Sequence, residues 1–192
     1  MSCILSQHTT DASSFPAFTR LRESYEDWEA IASAEPGELA KVIAKAGLAN
    51  QKSKSIIGCL RAIKARTGSY SLEILRDMPT LAARDWLMEL PGVGPKTASI
   101  VLCFSFGRET IPVDTHVYRV AKRLGILPDG VDEKKSHDIL LQLVPNDLAF
   151  RFHVALIQHG RTVCRAPTPL CPSCTVADLC KWRQTQLKRI KD

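Results

Sequence analysis

Four of the seven cysteines crowd into one short stretch, Cys164-x6-Cys171-x2-Cys174-x5-Cys180, while Cys3, Cys59 and Cys103 lie scattered in apolar or helical surroundings. The scattered three read as small buried hydrophobes. Pro167, Pro169 and Pro172 hold the loops between the clustered four open, so that several thiolates can point at one centre. Four thiolates imply a metal. They suit a structural zinc or an iron-sulfur cluster, and ligand chemistry alone does not choose between the two. A disulfide framework is not expected, because Met1-Ser2-Cys3-Ile4-Leu5-Ser6-Gln7-His8 has neither a basic n-region nor a long apolar run, and the expected compartment is the cytoplasm.

A second constellation lies upstream, in Leu90-Pro91-Gly92-Val93-Gly94-Pro95-Lys96-Thr97-Ala98. A helix is expected to end near Glu89, the two glycines to make a tight turn whose backbone can approach a ligand, and Pro95 to open the next helix. The amide N–H groups at that helix start then face outward and can hold a phosphate, reinforced by the helix dipole. Lys96 stands there with an amine, and Asp114 follows 18 residues later in Pro112-Val113-Asp114-Thr115-His116-Val117-Tyr118-Arg119-Val120. Taken singly, Lys96 is a solvated helix lysine and Asp114 a helix N-cap.

Taken together and in this order, the hairpin, the Lys96-to-Asp114 interval and the cysteine spacing resemble endonuclease III and its relatives, the helix-hairpin-helix DNA glycosylases. Zinc ribbons pair two short Cys-x2-Cys hooks, whereas the single hook here, flanked by gaps of six and five, resembles that family's 4Fe-4S loop. The resemblance runs from about Ile4 to Cys180. It implies a base excision repair enzyme that acts as a monomer on double-stranded DNA carrying a damaged base, oxidised pyrimidines in particular, or an abasic site. It implies Cys164, Cys171, Cys174 and Cys180 as cluster ligands. Lys96 and Asp114 become the catalytic pair, lining a pocket between two lobes. The carboxylate stabilises charge developing on the sugar and keeps the amine nucleophilic, Lys96 attacks C1′, and the resulting Schiff base permits β-elimination. Relatives that lack the amine act as glycosylases only, so Lys96 implies the bifunctional class.

The same resemblance assigns DNA contacts to His8, Leu48, Gly92, Val93, Gly94, Lys96 and Arg165. Leu48, within Ala46-Gly47-Leu48-Ala49-Asn50, would wedge into the duplex where the damaged nucleotide has left, and His8 would fill the gap opposite the orphaned base. The family commonly carries glutamine at the position of His8. In the cluster loop, where relatives carry several bases, Arg165 is the only one between Cys164 and Cys171.

The elements that must position these residues are helices. Apolar residues recur at helical spacing in Leu39, Val42, Ile43 and Ala46, in Ile56, Ile57, Leu60 and Ile63, and in Val117, Val120, Ala121 and Leu124; strand-like alternation is nearly absent. The expectation is an all-α fold of about eight to ten short helices separated by Gly and Pro turns. With the resemblance it becomes a two-lobed helix-hairpin-helix glycosylase fold with a C-terminal 4Fe-4S loop. Residues 1–110 would form a six-helix lobe holding the hairpin at about 86–106, and residues 111–192 the cluster lobe. Relatives begin roughly 30 residues earlier, so a helix of the cluster lobe is expected to be missing and apolar surface to be uncovered, which would make a chain of this length a marginally stable fragment or one begun at a wrong start.

Net charge is 26 − 20 = +6 with a pI near 9.0, the footprint of a nucleic-acid binder, and no stretch approaches a membrane span. Residues 41 to 66 hold seven bases and no acid (Lys41, Lys45, Lys52, Lys54, Arg61, Lys64 and Arg66), and residues 161 to 192 hold seven more. A polyanion could bridge the two stretches. The competing readings are a monofunctional or inactive DNA-binding relative and a zinc-stapled helical interaction module.

Overall fold

The computed structural model describes residues 1–189 and divides the chain into two compact units, Met1–Leu102 and Cys103–Asp192. Every regular element among the described residues is helical, with eleven α-helices and five short 3₁₀ turns.

The first unit contains α1 (Ser2–Leu5), α2 (Asp11–Ser24), α3 (Trp28–Ser33), α4 (Pro36–Val42), α5 (Ala49–Thr67) and α6 (Thr80–Met88), and the division falls within α7 (Pro95–Phe106). Boundaries follow local chemistry. The Asp27 carboxylate accepts the Ala30 amide at 2.8 Å and caps α3, Pro36 opens α4, and Gly68 in the left-handed region closes α5 by donating its N–H to the Lys64 carbonyl. The longest helix, α5, is the spine. Ile56, Ile57, Cys59, Leu60 and Ile63 are all buried along it, and it packs against α1, α3 and α4. Each such side chain contributes about 1.5–3 kcal/mol of apolar burial.

The second unit contains α8 (Thr115–Leu124), α9 (Glu133–Leu143), α10 (Ala149–Thr162) and α11 (Lys181–Arg189). Asp114 caps α8, Gly125 ends it, and Asp132 caps α9 by accepting the Lys135 amide at 2.7 Å. Val117, Val120 and Ala121 recur along α8 and are buried in a core with Ile111, Val113, Leu127, Leu140, Ala149 and Leu156. The close packing of α8 on α10 rests on Gly160. A Cβ there would lie 3.0 Å from His116 Cβ and 3.2 Å from Val120 Cγ2.

Replacing Gly160 by valine places two further methyl groups in that contact. Although glycine is a poor helix former, overpacking outweighs the gain in propensity, and a net loss of about 1–3 kcal/mol is expected. Thermal unfolding followed by circular dichroism reads this as a fall of several degrees; an unchanged midpoint would contradict the close approach of the two helices.

Candidate DNA-processing site and cysteine centre

In the first unit, the loop after α1, the Gly47-Leu48 turn and the hairpin meet around one cavity, with about 680 Å³ of empty space including the part open to solvent. Gln7, His8, Leu48, Gln51, Lys52, Ser55 and Gly92 line it. His8 (φ 51°) and Leu48 (φ 49°) are the chain's non-glycine residues with positive φ among those described. Such backbone costs about 1–3 kcal/mol per residue and persists where its surroundings enforce it. Leu48 is nonetheless 54% exposed, an apolar side chain held out into solvent.

The hairpin turn packs tightly on α5. Gly92 has φ +78°, and a Cβ there would come within 2.7 Å of Ser55 Cβ, so no other residue fits without displacement. Val93 donates its N–H to the Leu90 carbonyl at 3.1 Å, Gly94 accepts from Ala98 at 2.9 Å, and space around the Gly94 α-carbon is open. Lys96 is exposed on the first turn of α7, and among the described residues no side chain of its own unit pairs with it.

Gln7, to which the sequence assigns no role, and Lys52, which it assigns only to a basic stretch, support this arrangement. Gln7 Nε2 donates to the Gly92 carbonyl at 2.8 Å and to Thr97 Oγ1 at 3.1 Å, tying the His8 loop to the hairpin beside Lys96. Lys52, read from sequence as part of a basic stretch facing a polyanion, is instead 3% exposed. Its ammonium donates to the Leu5 carbonyl at 2.8 Å and the Ala46 carbonyl at 2.7 Å, and burial pushes its pKa down. No local pattern announces either contact, since each links positions far apart in sequence or at a turn.

Asp114 belongs to the second unit. It is 9% exposed, and its Oδ1 accepts the Val117 amide at 2.8 Å, so the carboxylate caps α8 with one oxygen and leaves Oδ2 outside that bond. Its helix is anchored by two arginines also missing from the sequence reading. Arg119 donates to the carbonyls of Cys164 (Nε, 3.1 Å), Gly160 (2.9 Å) and Thr115 (3.4 Å). Arg123 donates to the Arg165 and Pro167 carbonyls and, at 3.4 Å, to Cys164 Sγ, and its guanidinium lies over the Trp182 ring. The i,i+4 spacing of the two arginines was visible but reads equally well as a solvated face.

Cys164, Cys171, Cys174 and Cys180 line a second cavity, with Arg123, His159, Leu170 and Trp182 among its walls and about 350 Å³ of empty space including the open part. Cys180 Sγ donates to the Arg123 carbonyl at 3.2 Å, and Cys174 Sγ stands 3.7 Å from His159 Nε2. Burial, then the neighbouring charges of Cys180, Cys164 and Cys174, push the Cys171 thiol pKa up. Among the described residues no three His, Cys, Asp or Glu side chains converge closely enough to hold a single metal ion. Arg165 is exposed, its Nε bonded to the Thr162 carbonyl at 2.9 Å.

Five of the seven bases at 41–66 have a partner within the protein, though only Lys52 is buried and the ion pairs lie at the surface. Lys41 pairs with Glu38, Lys64 with Glu29 and Arg66 with Glu89, Arg61 donates to the Ala32 carbonyl, and Lys52 is buried. Lys45 and Lys54 have no such partner among the described residues. No described helix is long and apolar enough to cross a membrane.

Residues 1–146 match the family described as HhH-GPD superfamily base excision DNA repair protein. Over 182 residues the chain is 32% identical to endonuclease III of Thermotoga maritima, covering 95% of this chain and 81% of that protein. A candidate DNA glycosylase of Arabidopsis thaliana is 35% identical over 158 residues, 82% of this chain, which spans only 54% of the plant protein. Among solved structures, a trapped endonuclease III–DNA covalent intermediate superposes with a TM-score of 0.83 at 33% identity, covering 97% of this chain and 83% of that one. The backbone likeness thus extends over both units, beyond the residues the family match covers. The chain belongs to the HhH-GPD superfamily of base excision DNA repair proteins.

Proposed function

We propose that this chain is a DNA glycosylase and abasic-site lyase, binding duplex DNA, releasing a damaged base and cutting the backbone with Lys96 as nucleophile. The observation that carries the reading is Lys96 itself, a solvent-exposed amine without a partner in its own unit, one residue past Pro95 on the helix that opens from the Gly92–Gly94 turn. That turn grips phosphate through the amides at the helix start, and the grip brings the sugar to the amine. Leu48 wedges into the stack and His8 occupies the space opposite the displaced nucleotide, with Gly92, Val93 and Gly94 on the backbone and Arg165 adding a phosphate contact.

In the chemistry, the Lys96 nitrogen bonds to C1′ as the base departs and takes up a proton. The amine's own proton passes to a base, which Asp114 supplies, and its carboxylate also stabilises positive charge on the sugar. The C1′–O4′ bond then opens, with O4′ taking up the proton that Asp114 accepted, to give the protonated imine; loss of the C2′ proton to a solvent base breaks the C3′–O bond and expels the 3′ phosphate oxygen. Oxidised pyrimidines are the substrate class implied by family likeness.

The four cysteines fit a 4Fe-4S cluster on the chemistry of the donor set. They are four thiols lining one cavity, with Arg123 and His159 placed to hydrogen-bond sulfur. When bound, such a cluster supplies a four-point crosslink of the loop between α10 and α11, and the base-excision chemistry above does not pass through it.

Incubation with abasic duplex under borohydride tests the function, since an amine-using lyase becomes covalently linked to DNA. Lys96→Ala is expected to abolish strand cleavage and trapping while leaving affinity within about twofold, because one of 26 bases contributes little to phosphate binding; undiminished trapping would identify another nucleophile. Asp114→Asn is expected to lose about 10²-fold or more in base excision with under about 1 kcal/mol of stability, since asparagine also accepts the Val117 amide. A variant that melts much earlier yet turns over normally would make Asp114 a cap and nothing more. Cys171→Ser should abolish brown absorbance and cluster iron and yield poorly soluble protein; a soluble variant with wild-type iron and activity would refute the cluster assignment.

A further inference from the structure

The strained residues His8 and Leu48 reach the same cavity from different parts of the chain, and one side chain connects the backbone that carries them. Leu5, whose carbonyl binds Lys52, ends α1 three residues before His8. Ala46, whose carbonyl also binds it, ends a 3₁₀ turn two residues before Leu48. These are helix-end carbonyls, the groups left without an intrahelical partner. A buried ammonium bridging both is a charge-assisted contact at each.

Lys52 also lies on the cavity wall between Gln51 and Ser55, on the helix that packs beneath Gly92. We propose that Lys52 is a positioning residue for nucleotide exposure, holding the His8 and Leu48 segments at a fixed separation so that both enter the duplex together. This rests on the functional reading above and adds to it the element that aligns the two probes. It predicts a defect confined to substrates that must be unstacked. A lysine needed only for folding would weaken activity on every substrate alike.

The test uses the full chain with its cluster and two substrates, an abasic site in fully paired duplex and the same site in a short mismatched bubble with duplex flanks. Lys52→Met is expected to lose at least about tenfold in kcat/KM on the paired duplex and no more than about twofold on the bubble, because the bubble removes most of the unstacking cost. Leu48→Ala should show the same selectivity, and the double variant should be no worse than Leu48→Ala alone, since both act on one step. Lys52→Arg keeps a cation with several donors and serves where Lys52→Met does not fold, with a smaller loss of the same duplex selectivity expected. Equal loss on both substrates, or additive effects with Leu48→Ala, overturns the positioning role while leaving the enzyme reading intact. Wild-type protein that cleaves neither substrate overturns both.

Discussion

Short helices leave many backbone carbonyls without an intrahelical partner, and in this chain lysine and arginine side chains supply the missing donors. Lys52 binds the carbonyls of Leu5 and Ala46, Arg61 that of Ala32, Arg119 those of Thr115, Gly160 and Cys164, and Arg123 those of Arg165 and Pro167. A carbonyl withdrawn from water with no donor costs roughly 1–3 kcal/mol, and at the buried carbonyls of Leu5 and Ala46 the Lys52 ammonium removes that penalty. The arginine bonds lie nearer the surface and tie loops to helices. Long, multi-donor side chains suit the task, because each reaches across a turn that apolar contacts alone would leave loose.

This use of cations changes what the net charge of +6 means. From the sequence, the seven bases of residues 41–66 read as one of two basic stretches that a polyanion could bridge, or as a solvated face; in the fold, five of them serve carbonyls or carboxylates of the protein. Net charge still raises the rate of encounter with a polyanion. In the proposed function, register on DNA comes instead from directed groups: the hairpin amides, Leu48 held out by its backbone, and the lysine at the start of α7.

The fold was legible where the information is local. Helical periodicity around Ile56–Ile63 and Val117–Leu124, the Gly92–Gly94 turn and the Asp114 cap are each specified within a few residues, and family likeness supplied the two-lobed architecture. Lys52 and Gln7 were not legible, because their partners lie up to 47 and 90 residues away and a lysine looks the same in sequence whether it binds a phosphate, a carbonyl or water. Arg119 and Arg123 were invisible for the same reason. Their spacing suits a solvated face, and only the loop at Cys164–Pro167 turns that face into an anchor.

The cap at Asp114 has a consequence for how sequences like this one are interpreted. One carboxylate oxygen holds the Val117 amide, and the same side chain is the proposed electrostatic partner of the reacting sugar. Two selective pressures therefore converge on a single position, and the structural one survives the loss of the other. A descendant that had stopped processing DNA would still keep a short polar acceptor there, aspartate included, for as long as its helix had to begin at that residue. Finding aspartate at this position in a diverged sequence is accordingly poor evidence of turnover. The lysine on the hairpin, which supports no neighbour in its own unit, is free to drift once the chemistry is abandoned, and it is the more informative marker of a living enzyme.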